Sequence, residues 1–462
     1  MVRISGPETG AALRALKGNN RMPWPRFARP MQLKDPNTCE ILDEALVLWF
    51  PGPASVTGED VAELHLHGGR AVVDGVLNSL GRIPGLRLAE PGEFTRRAFD
   101  NGKLDLTAVE GLGDLIAAET PAQRRLALRQ LNGDLARLYD KWRQQLIQLM
   151  ALLEATIDFS DEADVPVEVI DELKTTVGAL ATAITTHLND GRRGERLRDG
   201  VHIALLGRPN AGKSTLLNCL AQRDVAIVAS TPGTTRDILE VHLDLGGYPV
   251  VLIDTAGLRD GDITTLDPVE VEGIRRARRA AETADLRVVL IEGSDSSSTD
   301  NDLQTWITGA DLIIRSKCDL GLAADFDPAP KKSLTEVIPL SAVTEQGIPA
   351  FVAKLTDLVR HRFDGDDTAP VLTLARHRTA LEETLTALNR VATAPLPDLA
   401  AEDLRLAARA LGRIASVLAH GEGLSAHAGA AEMRLQARAT TSMSRRSCAG
   451  MLPCSRCCST PA

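Results

Sequence analysis

Apolar residues along the chain follow different periods in different regions, and each period predicts a different structure. In the first hundred residues, short apolar runs at Ile41–Phe50 and Val61–Leu66 are typical of strands. Ala71–Leu80, after the Gly68-Gly69 turn, is typical of a helix. Proline and glycine recur between these runs, as in a fold with short loops. Residues 1–98 are therefore predicted to form a mixed α/β domain.

From about residue 103 the apolar spacing becomes helical. Thr120 followed by Pro121 predicts a helix start, because the hydroxyl can cap the first turn and proline needs no N–H there. Leu173 to Leu188 continues the helical pattern, and the charged stretch 189–200 is predicted to be a linker. Steps of three and four residues predict one long bundle helix with the apolar stripe Leu128, Leu131, Leu135, Leu138, Trp142, Leu146, Leu149 and Leu153.

Strand and helix patterns alternate from residue 201, which predicts a parallel sheet with helices on both faces. The apolar strand-like runs are Val201–Gly207, Tyr248–Asp254, Leu286–Ile291, Leu312–Ile314 and Val337–Leu340. Glycine, aspartate and proline mark a boundary near residue 366, and helical spacing then returns as far as 414. The simplest organisation is a multidomain α/β plus all-α chain. Its helical domain has two halves, 99–198 and 367–414, and the α/β domain 199–366 is inserted between them.

Composition excludes several functional classes. Apolar residues make up 44% of the 462 residues and charged residues 25%, as in an ordinary globular protein. The formal net charge of −10 argues against a protein that coats nucleic acid by bulk charge, although it allows a local basic patch. No apolar run reaches the roughly 18 residues of a membrane span, and residues 1–10 lack the pattern of a secretory signal. A cytoplasmic protein without membrane partners is therefore expected.

A phosphate-binding loop lies at the end of the first strand of the α/β domain. Gly207–Ser214 (GRPNAGKS) matches G-x-x-x-x-G-K-[ST], between an apolar strand and the helical segment Thr215–Leu220. The glycines let backbone N–H groups face phosphates beside a helix N-terminus. Lys213 is then expected to neutralise the β- and γ-phosphates, and Ser214 to hold Mg²⁺.

Further polar stretches follow in the order that GTPases use. Gly233–Asp237 (GTTRD) offers Thr235 as a second hydroxyl for Mg²⁺, and Asp254–Gly257 (DTAG) ends a strand with a carboxylate for the Mg²⁺ shell. Ser316–Asp319 (SKCD) is similar to the guanine-reading N-K-x-D, with serine in place of asparagine but the discriminating aspartate intact. Guanine is therefore the expected base. The candidate GTP-binding residues are Asn210, Ala211, Gly212, Lys213, Ser214, Thr215, Ala229, Ser230, Thr231, Pro232, Gly233, Thr234, Thr235, Asp254, Thr255, Ala256, Gly257, Ser316, Lys317, Asp319, Ser341 and Ala342.

Histidine and cysteine give weaker signals. His65 and His67 form H-x-H on a predicted strand, for which a structural role is favoured over a metal site. His377 suits either helix packing or a nucleic-acid contact. Residues 415–462 lack Ile, Phe, Trp, Tyr, Asp and Lys, which predicts an aberrant, disordered tail. The cysteines of this tail are interpreted as chance rather than as a zinc site; they are Cys448, Cys454, Cys457 and Cys458.

These motifs together resemble the MnmE (TrmE) family of tRNA-modification GTPases over about residues 1–414. The first-domain motifs that carry the resemblance are V-R-I-S-G (Val2–Gly6), T-G-E-D-V (Thr57–Val61), H-G-G-R (His67–Arg70), P-G-E-F-T-R-R-A-F (Pro91–Phe99) and N-G-K-L-D-L (Asn101–Leu106). D-T-A-G-L-R (Asp254–Arg259) and the phosphate loop belong to the same set. The resemblance implies an N-terminal folate-binding domain that dimerises, a split helical domain and an inserted Ras-like P-loop G domain.

The resemblance also implies an activity. With an FAD-dependent partner enzyme, MnmG, in a heterotetramer, a potassium-activated GTPase adds a carboxymethylaminomethyl or aminomethyl group. The group is attached to C5 of the wobble uridine of certain tRNAs, and a tetrahydrofolate of the 5-formyl or 5,10-methylene type supplies the one-carbon unit. The implied folate residues are Arg3, Glu63 and Lys103, whose charges suit a pterin edge and a glutamate tail.

Potassium and the attacking water are assigned by the same resemblance. K⁺ is expected on the Asn210 side chain, on carbonyls around Ala229 and Thr231, and near Thr234, where other GTPases use an arginine finger. The catalytic glutamate lies in a V-E-x-x-G-I-x-R-A context, which the sequence Val269–Ala277 matches. Glu270 is the residue so identified, and Glu272 is its rival.

Both ends of the chain depart from the family pattern. The family usually has a further strand before V-R-I-S-G, so Arg3 is expected on a frayed terminus. The family's C-terminal C-x-G-K has no counterpart in Ala415–Ala462. An alternative function is therefore a GTP-switched scaffold that binds folate and tRNA without modification activity. A ribosome-assembly GTPase is a third candidate, which the first-domain motifs disfavour.

Overall fold

The computed structural model describes most of the chain in two units, built on Met1–Gly113 and Asp114–Leu411. The described residues are 1–18, 21–158, 167–190, 192–208, 210–223, 225–227, 240–254, 282–294, 306–321, 337–363 and 370–415. No helix within these ranges combines the length and the hydropathy needed to span a membrane. The domain boundaries predicted near residues 98, 198 and 366 stay predictions.

The first unit contains a four-stranded antiparallel sheet in the order β1-β4-β3-β2. Its elements are β1 (Val2–Ser5), α1 (Thr9–Lys17), β2 (Arg29–Lys34), β3 (Ile41–Phe50), β4 (Val61–His65), α2 (Arg70–Gly81), α3 (Glu93–Asp100) and the beginning of α4 (Leu106–Ala117). Ile4, Val47 and Leu64 pack from one sheet face against Leu13 and Val76 of the helices. The strands and helix predicted over residues 41–80 are thus confirmed within a residue or two at their ends.

The expectation that Arg3 lies on a frayed terminus is wrong. Residues Val2–Ser5 form β1, which pairs with β4 so that Arg3 stands opposite Glu63. Because Ile4 is buried in the core between them, Arg3 and Ser5 point to the other face of the sheet. The strand therefore fixes the direction of the Arg3 side chain.

The second unit begins with helices. They are α5 (Pro121–Leu131), α6 (Asp134–Asp158), α7 (Val167–Leu188) and α8 (Arg193–Asp199), and α11 (Ala375–Thr393) and α12 (Pro397–Ala415) follow later in the chain. The predicted cap at Thr120 is confirmed: its hydroxyl accepts a hydrogen bond from the Gln123 N–H, and the Gln123 side chain accepts one from the Thr120 N–H. From α6, Leu135, Trp142 and Leu146 are buried, in agreement with the predicted stripe.

Two predictions about these helices are wrong. The predicted long helix is broken at Gly133, which has φ +83°, a conformation that glycine adopts at little cost. Leu128 is consequently exposed, and α5 instead buries Ala122, Ala127 and Gln130. The predicted linker contains α8, because Leu197 is buried and Gly194 packs closely against the Leu372 carbonyl.

The second unit also holds a six-stranded sheet in the order β10-β9-β8-β5-β7-β6. Its strands are β5 (Val201–Leu206), β6 (Glu240–Leu245), β7 (Tyr248–Asp254), β8 (Leu286–Glu292), β9 (Leu312–Ser316) and β10 (Val337–Pro339), and its helices include α9 (Lys213–Ala221) and α10 (Ile348–Phe363). Core clusters cover both faces, as predicted. The sheet is parallel except for β6, an antiparallel edge strand whose alternating sequence was not predicted as a strand.

A buried aromatic and histidine cluster joins α6, α7 and α11. Tyr139 Oη lies 3.2 Å from His187 Nε2, and the Trp142 ring is 5.5 Å from the His187 ring. His377 is fully buried with its ring 6.2 Å from that of Tyr139, so it packs between helices rather than lying on the surface. Burial lowers the pKa of His187 to about 4, and Asp190 only partly opposes this.

Acid should therefore weaken the helical part of the second unit. The folded pKa of His187 lies below its ordinary value of 6.5, so the unfolded chain takes up the proton as the pH falls from neutral towards 4. We expect the free energy of unfolding to fall by roughly 1 kcal/mol per pH unit over part of this range. Urea unfolding of the wild type and of His187→Gln at pH 7 and pH 5.5 tests this. Equal pH dependence in the two proteins would contradict it.

Candidate nucleotide-binding site

The phosphate loop is shaped by two glycines, one where a side chain cannot fit and one with left-handed backbone. Gly207 follows β5 with φ +153°, and a Cβ there would lie 2.5 Å from the Leu290 carbonyl oxygen of β8. Asn210 (φ +66°) and Gly212 (φ +92°) then complete the turn, and Gly212 caps α9. The loop therefore stays close to the sheet and delivers the next two residues to the start of a helix.

Lys213 is buried within its own loop. Its Nζ donates hydrogen bonds to the carbonyls of Gly207, at 2.8 Å, and of Arg208, at 3.0 Å. Burial lowers the pKa of Lys213, and the nearby Asp254 carboxylate opposes this effect. The ammonium group thus lies in the centre of the loop, where a phosphate oxygen could replace a carbonyl partner.

Ser214 and Asp254 form a pair of oxygen donors beside the loop. Ser214 Oγ donates to Asp254 Oδ2 at 2.6 Å, although the two residues come from α9 and β7. Asp254 is buried, and its Oδ1 has no hydrogen-bond partner within the described part of the chain. Hydroxyl and carboxylate oxygens are the ligands that Mg²⁺ prefers, so these residues fit a magnesium ion.

The two predicted base loops lie together at the same edge of the sheet. The Cys318 N–H donates to the Leu340 carbonyl at 3.2 Å, which ties the loop Ser316–Asp319 to the start of Ser341–Ala342. Ser341 is buried and accepts a hydrogen bond from the Thr344 N–H. A Cβ at Gly212 would lie 4.0 Å from the Ser316 Cβ, so the phosphate loop adjoins the base loop. Asp319 is exposed in a short 3₁₀ turn and available to a ligand.

Several predicted site residues lie outside the described residues. They are Ala229, Ser230, Thr231, Pro232, Gly233, Thr234 and Thr235, then Thr255, Ala256 and Gly257, then Glu270 with its rival Glu272. The predicted K⁺ site keeps one described ligand, Asn210, which is exposed. The roles of all these residues stay predictions.

In the first unit the structure brings together two of the three predicted folate residues. The Arg3 guanidinium donates to Glu63 Oε1 at 2.7 and 3.1 Å and lies 5.8 Å from the centre of the Phe94 ring. Lys103 lies instead beside Gly58, where a Cβ would be 3.4 Å from the Lys103 Cε. A cavity of about 470 Å³ adjoins Arg3 and Phe94 and is partly apolar, with Val73 and Leu77 in its wall.

The sequence analysis missed a charged network next to this cavity. Arg97 donates to the Ser5 carbonyl at 3.1 Å, to Glu59 at 2.8 Å and to Glu93 at 2.7 Å, and Arg87 binds Glu93 with two hydrogen bonds. Burial favours a raised pKa for Glu93, but hydrogen bonds from Arg87, Glu90 N–H and Arg97 lower it to about 2. The i,i+4 spacing of Glu93 and Arg97 was a signal that could have revealed the pair.

The H-x-H pair of the sequence does not converge. His65 is the last residue of β4, and its Nε2 lies 3.4 Å from Glu63. His67 lies beyond the strand and its Nδ1 is 2.8 Å from Asp43. Each imidazole therefore has its own carboxylate partner, in agreement with the favoured structural role.

The phosphate loop, the buried lysine and the base loops meet at the carboxyl edge of the parallel strands of one sheet, and this geometry defines the class: the second unit carries a P-loop nucleotide-binding site. A family model described as "MnmE helical domain" matches residues 106–422, and one described as "GTP-binding protein TrmE N-terminus" matches residues 1–103. The chain belongs to the MnmE family.

Individual relatives agree with this assignment over almost the whole chain. A protein from Rhodospirillum rubrum named tRNA modification GTPase MnmE is 51% identical over 428 residues, which cover 90% of this chain and 91% of the relative. A human protein, named 5-taurinomethyluridine-[tRNA] synthase subunit GTPB3, mitochondrial, is 47% identical over 90% of this chain and 86% of its own length. The expected family and its GTP hydrolase activity are thus confirmed.

Asp254→Asn should remove the effect of Mg²⁺ on nucleotide binding without unfolding the chain. The amide keeps the shape and can still accept from Ser214, but it lacks the charge that a divalent cation needs. We expect GTP affinity in Mg²⁺ to fall roughly 10-fold or more, towards the value measured with EDTA. Titration with a fluorescent GTP analogue checks this, with Asp140→Asn, an exposed change on α6, as control. A Mg²⁺ effect of wild-type size in Asp254→Asn would contradict the assignment.

Proposed function

We propose that this protein hydrolyses GTP to drive the modification of C5 of the wobble uridine in certain tRNAs, together with an FAD-dependent partner of the MnmG type. The added group is carboxymethylaminomethyl or aminomethyl, and a tetrahydrofolate supplies its one-carbon unit. The observation that carries the proposal is the Ser214–Asp254 pair beside the phosphate loop, in a chain of the MnmE family. The names of both relatives support tRNA as the substrate, and the human one specifies a 5-substituted uridine.

In this proposal the chain binds the phosphates of GTP at the phosphate loop and its base at the base loops, which adjoin each other at Gly212 and Ser316. Asp319 accepts hydrogen bonds from the N1–H and 2-amino groups of guanine, and Ser341–Ala342 line the other side of the base. Lys213 exchanges its carbonyl partners for phosphate oxygens. Ser214, Thr235 and Asp254 would hold Mg²⁺, which would supply positive charge against the phosphates.

Potassium activation is the second element of the proposal. Asn210 supports it, because its left-handed backbone leaves the amide side chain exposed at the phosphate loop. An amide oxygen is a suitable ligand for a hard monovalent cation. Carbonyls around Ala229 and Thr231, with Thr234, complete the proposed K⁺ site, and Glu270 orients the attacking water.

We expect Glu270→Ala to lose hydrolysis while keeping nucleotide binding, because the side chain acts on the water rather than on the nucleotide. The single-turnover rate in KCl should fall at least about 100-fold, and the Kd for a fluorescent GTP analogue should stay within a factor of two or so. The wild-type rate should be much higher in KCl than in NaCl at equal ionic strength.

Glu272→Ala is the matched control, since it removes a carboxylate two residues away. It should keep the potassium-dependent rate. Near-normal turnover of Glu270→Ala would exclude this residue as the catalytic glutamate, and equal rates in the two salts would exclude potassium activation.

The first unit supports the folate part of the proposal. The cavity beside Arg3 falls in the size range of small-molecule pockets, roughly 300–1,000 Å³, and combines an apolar wall with charged groups. Arg3 and Glu63 are held in one direction by their ion pair, so little side-chain freedom is lost on binding. Lys103 lies beside Gly58, and its ammonium group suits the carboxylates of a glutamate tail. We propose that residues 1–98 form the folate domain and that this unit dimerises. We also propose that the chain acts as a cytoplasmic homodimer.

Complementation of a bacterial strain that lacks its own MnmE-family gene tests the modification activity. The wild-type chain should restore modified wobble uridine in nucleoside digests of tRNA, and Arg3→Gln should reduce it because the folate site loses a fixed cation. Arg29→Gln, an exposed arginine on β2 of the same sheet, should behave as wild type. Purified Arg3→Gln should bind 5-formyl-tetrahydrofolate roughly 10-fold more weakly.

The alternative function is a GTP-switched scaffold that binds folate and tRNA but does not modify the RNA. The absence of C-x-G-K from residues 415–462 favours it, since the family's candidate catalytic cysteine is in that motif. Unmodified tRNA in the complemented strain, together with normal GTP hydrolysis and folate binding by the wild-type chain, would support this alternative.

A further inference from the structure

Glu292, the last residue of β8, reaches the base loop. Its Oε1 lies 3.0 Å from the Lys317 Nζ, and the two side chains are 37% and 33% exposed. Strands β8 and β9 are parallel, with Glu292 opposite Ser316 in their register. The carboxylate therefore contacts the lysine that stands two positions before the guanine-reading Asp319.

Hydrogen bonds at the ends of β8 and β9 hold the backbone next to Lys317. The Gly293 N–H donates to the Ser316 carbonyl at 2.7 Å, and Ser316 Oγ donates to the Ile291 carbonyl at 3.3 Å. Lys317 itself has φ +56°, a left-handed conformation that is uncommon for a residue other than glycine. Such a conformation persists where its neighbours hold it, and here the neighbours are the ends of β8 and β9.

Lys317 and Asp319 carry opposite charges at nearby positions of one short loop. A lysine ammonium on its flexible four-carbon stem can turn to a carboxylate close by. In the described part of the chain, however, Lys317 is paired with Glu292, and no hydrogen bond or ion pair engages the exposed Asp319 carboxylate. Guanine recognition requires that this carboxylate be open as an acceptor.

We propose that Glu292 is a positioning residue for guanine recognition: it holds the Lys317 ammonium away from Asp319, so that the Asp319 carboxylate stays open to the N1–H and 2-amino groups of guanine. The inference rests on the proposed base site at Ser316–Asp319. The serine at 316 strengthens it, because its short side chain is bonded inward to Ile291 and β8 supplies the restraint on the loop.

The test compares guanine with hypoxanthine, which lacks the 2-amino group. Dissociation constants for fluorescent GDP and IDP are measured with wild type, Glu292→Gln and Glu292→Asp. In Glu292→Gln we expect the GDP Kd to rise roughly 3- to 10-fold and the IDP Kd to rise less, so that the preference for GDP falls. Glu292→Asp keeps the charge and should retain most of that preference. In a Lys317→Ala background, Glu292→Gln should add no further loss.

Glu154→Gln is the matched control, since Glu154 forms an equally short ion pair, 2.9 Å, with Arg405 at similar exposure and away from the nucleotide. GDP binding that is unchanged or tighter in Glu292→Gln would overturn the inference, as would an equal loss for GDP and IDP. If the wild type binds GDP and Glu292→Gln binds it with the same Kd, only the role given to Glu292 is wrong. If the wild type binds neither GDP nor IDP, the proposed base site is wrong as well.

Discussion

The hydrogen bond from Ser214 Oγ to Asp254 Oδ2 joins the beginning of α9 to the end of β7. The nucleotide site depends on this close approach of the helix to the strand. Two residues 40 positions apart meet because parallel strands deliver their carboxyl ends to one edge of the sheet. Strands β5, β7, β8 and β9 end there, and so the phosphate loop, the magnesium ligands and the base loop are neighbours. Without the close approach of Gly207 to the Leu290 carbonyl, the phosphate loop could not follow this edge.

Burying charge at this edge is costly unless each group has partners. Lys213 bonds two carbonyls of its own loop, while Asp254 keeps one buried oxygen without a partner among the described residues. Left-handed backbone also concentrates here. Of the four residues other than glycine with positive φ in the described part of the second unit, Asn210 and Lys317 lie in the nucleotide loops. The site thus combines strained backbone with a buried carboxylate oxygen that a ligand can engage.

In the first unit, the charged side chains beside the cavity are paired with one another. Its sheet buries one face with the helices, and the charged side chains of β1 and β4 lie on the other. Arg97 crosses from α3 to the Ser5 carbonyl of β1 and to two carboxylates, so the cavity wall next to Arg3 is held by a network rather than by a single pair. Such a wall keeps its shape before a ligand arrives, which reduces the entropy lost on binding.

The sequence alone determined the motifs, the strand–helix alternation after residue 201 and the cap at Thr120, because each of these depends on residues close together in the chain. It failed at one local helix break and where packing between distant residues decided the outcome. Leu128 follows the apolar stripe but is exposed, since Gly133 breaks the helix, and residues 193–199 became a helix because Leu197 is buried. The edge strand Glu240–Leu245 forms only because β7 offers it a partner. Likewise, Arg3 with Glu63 and Lys317 with Glu292 became pairs through strand register, which no local pattern specifies.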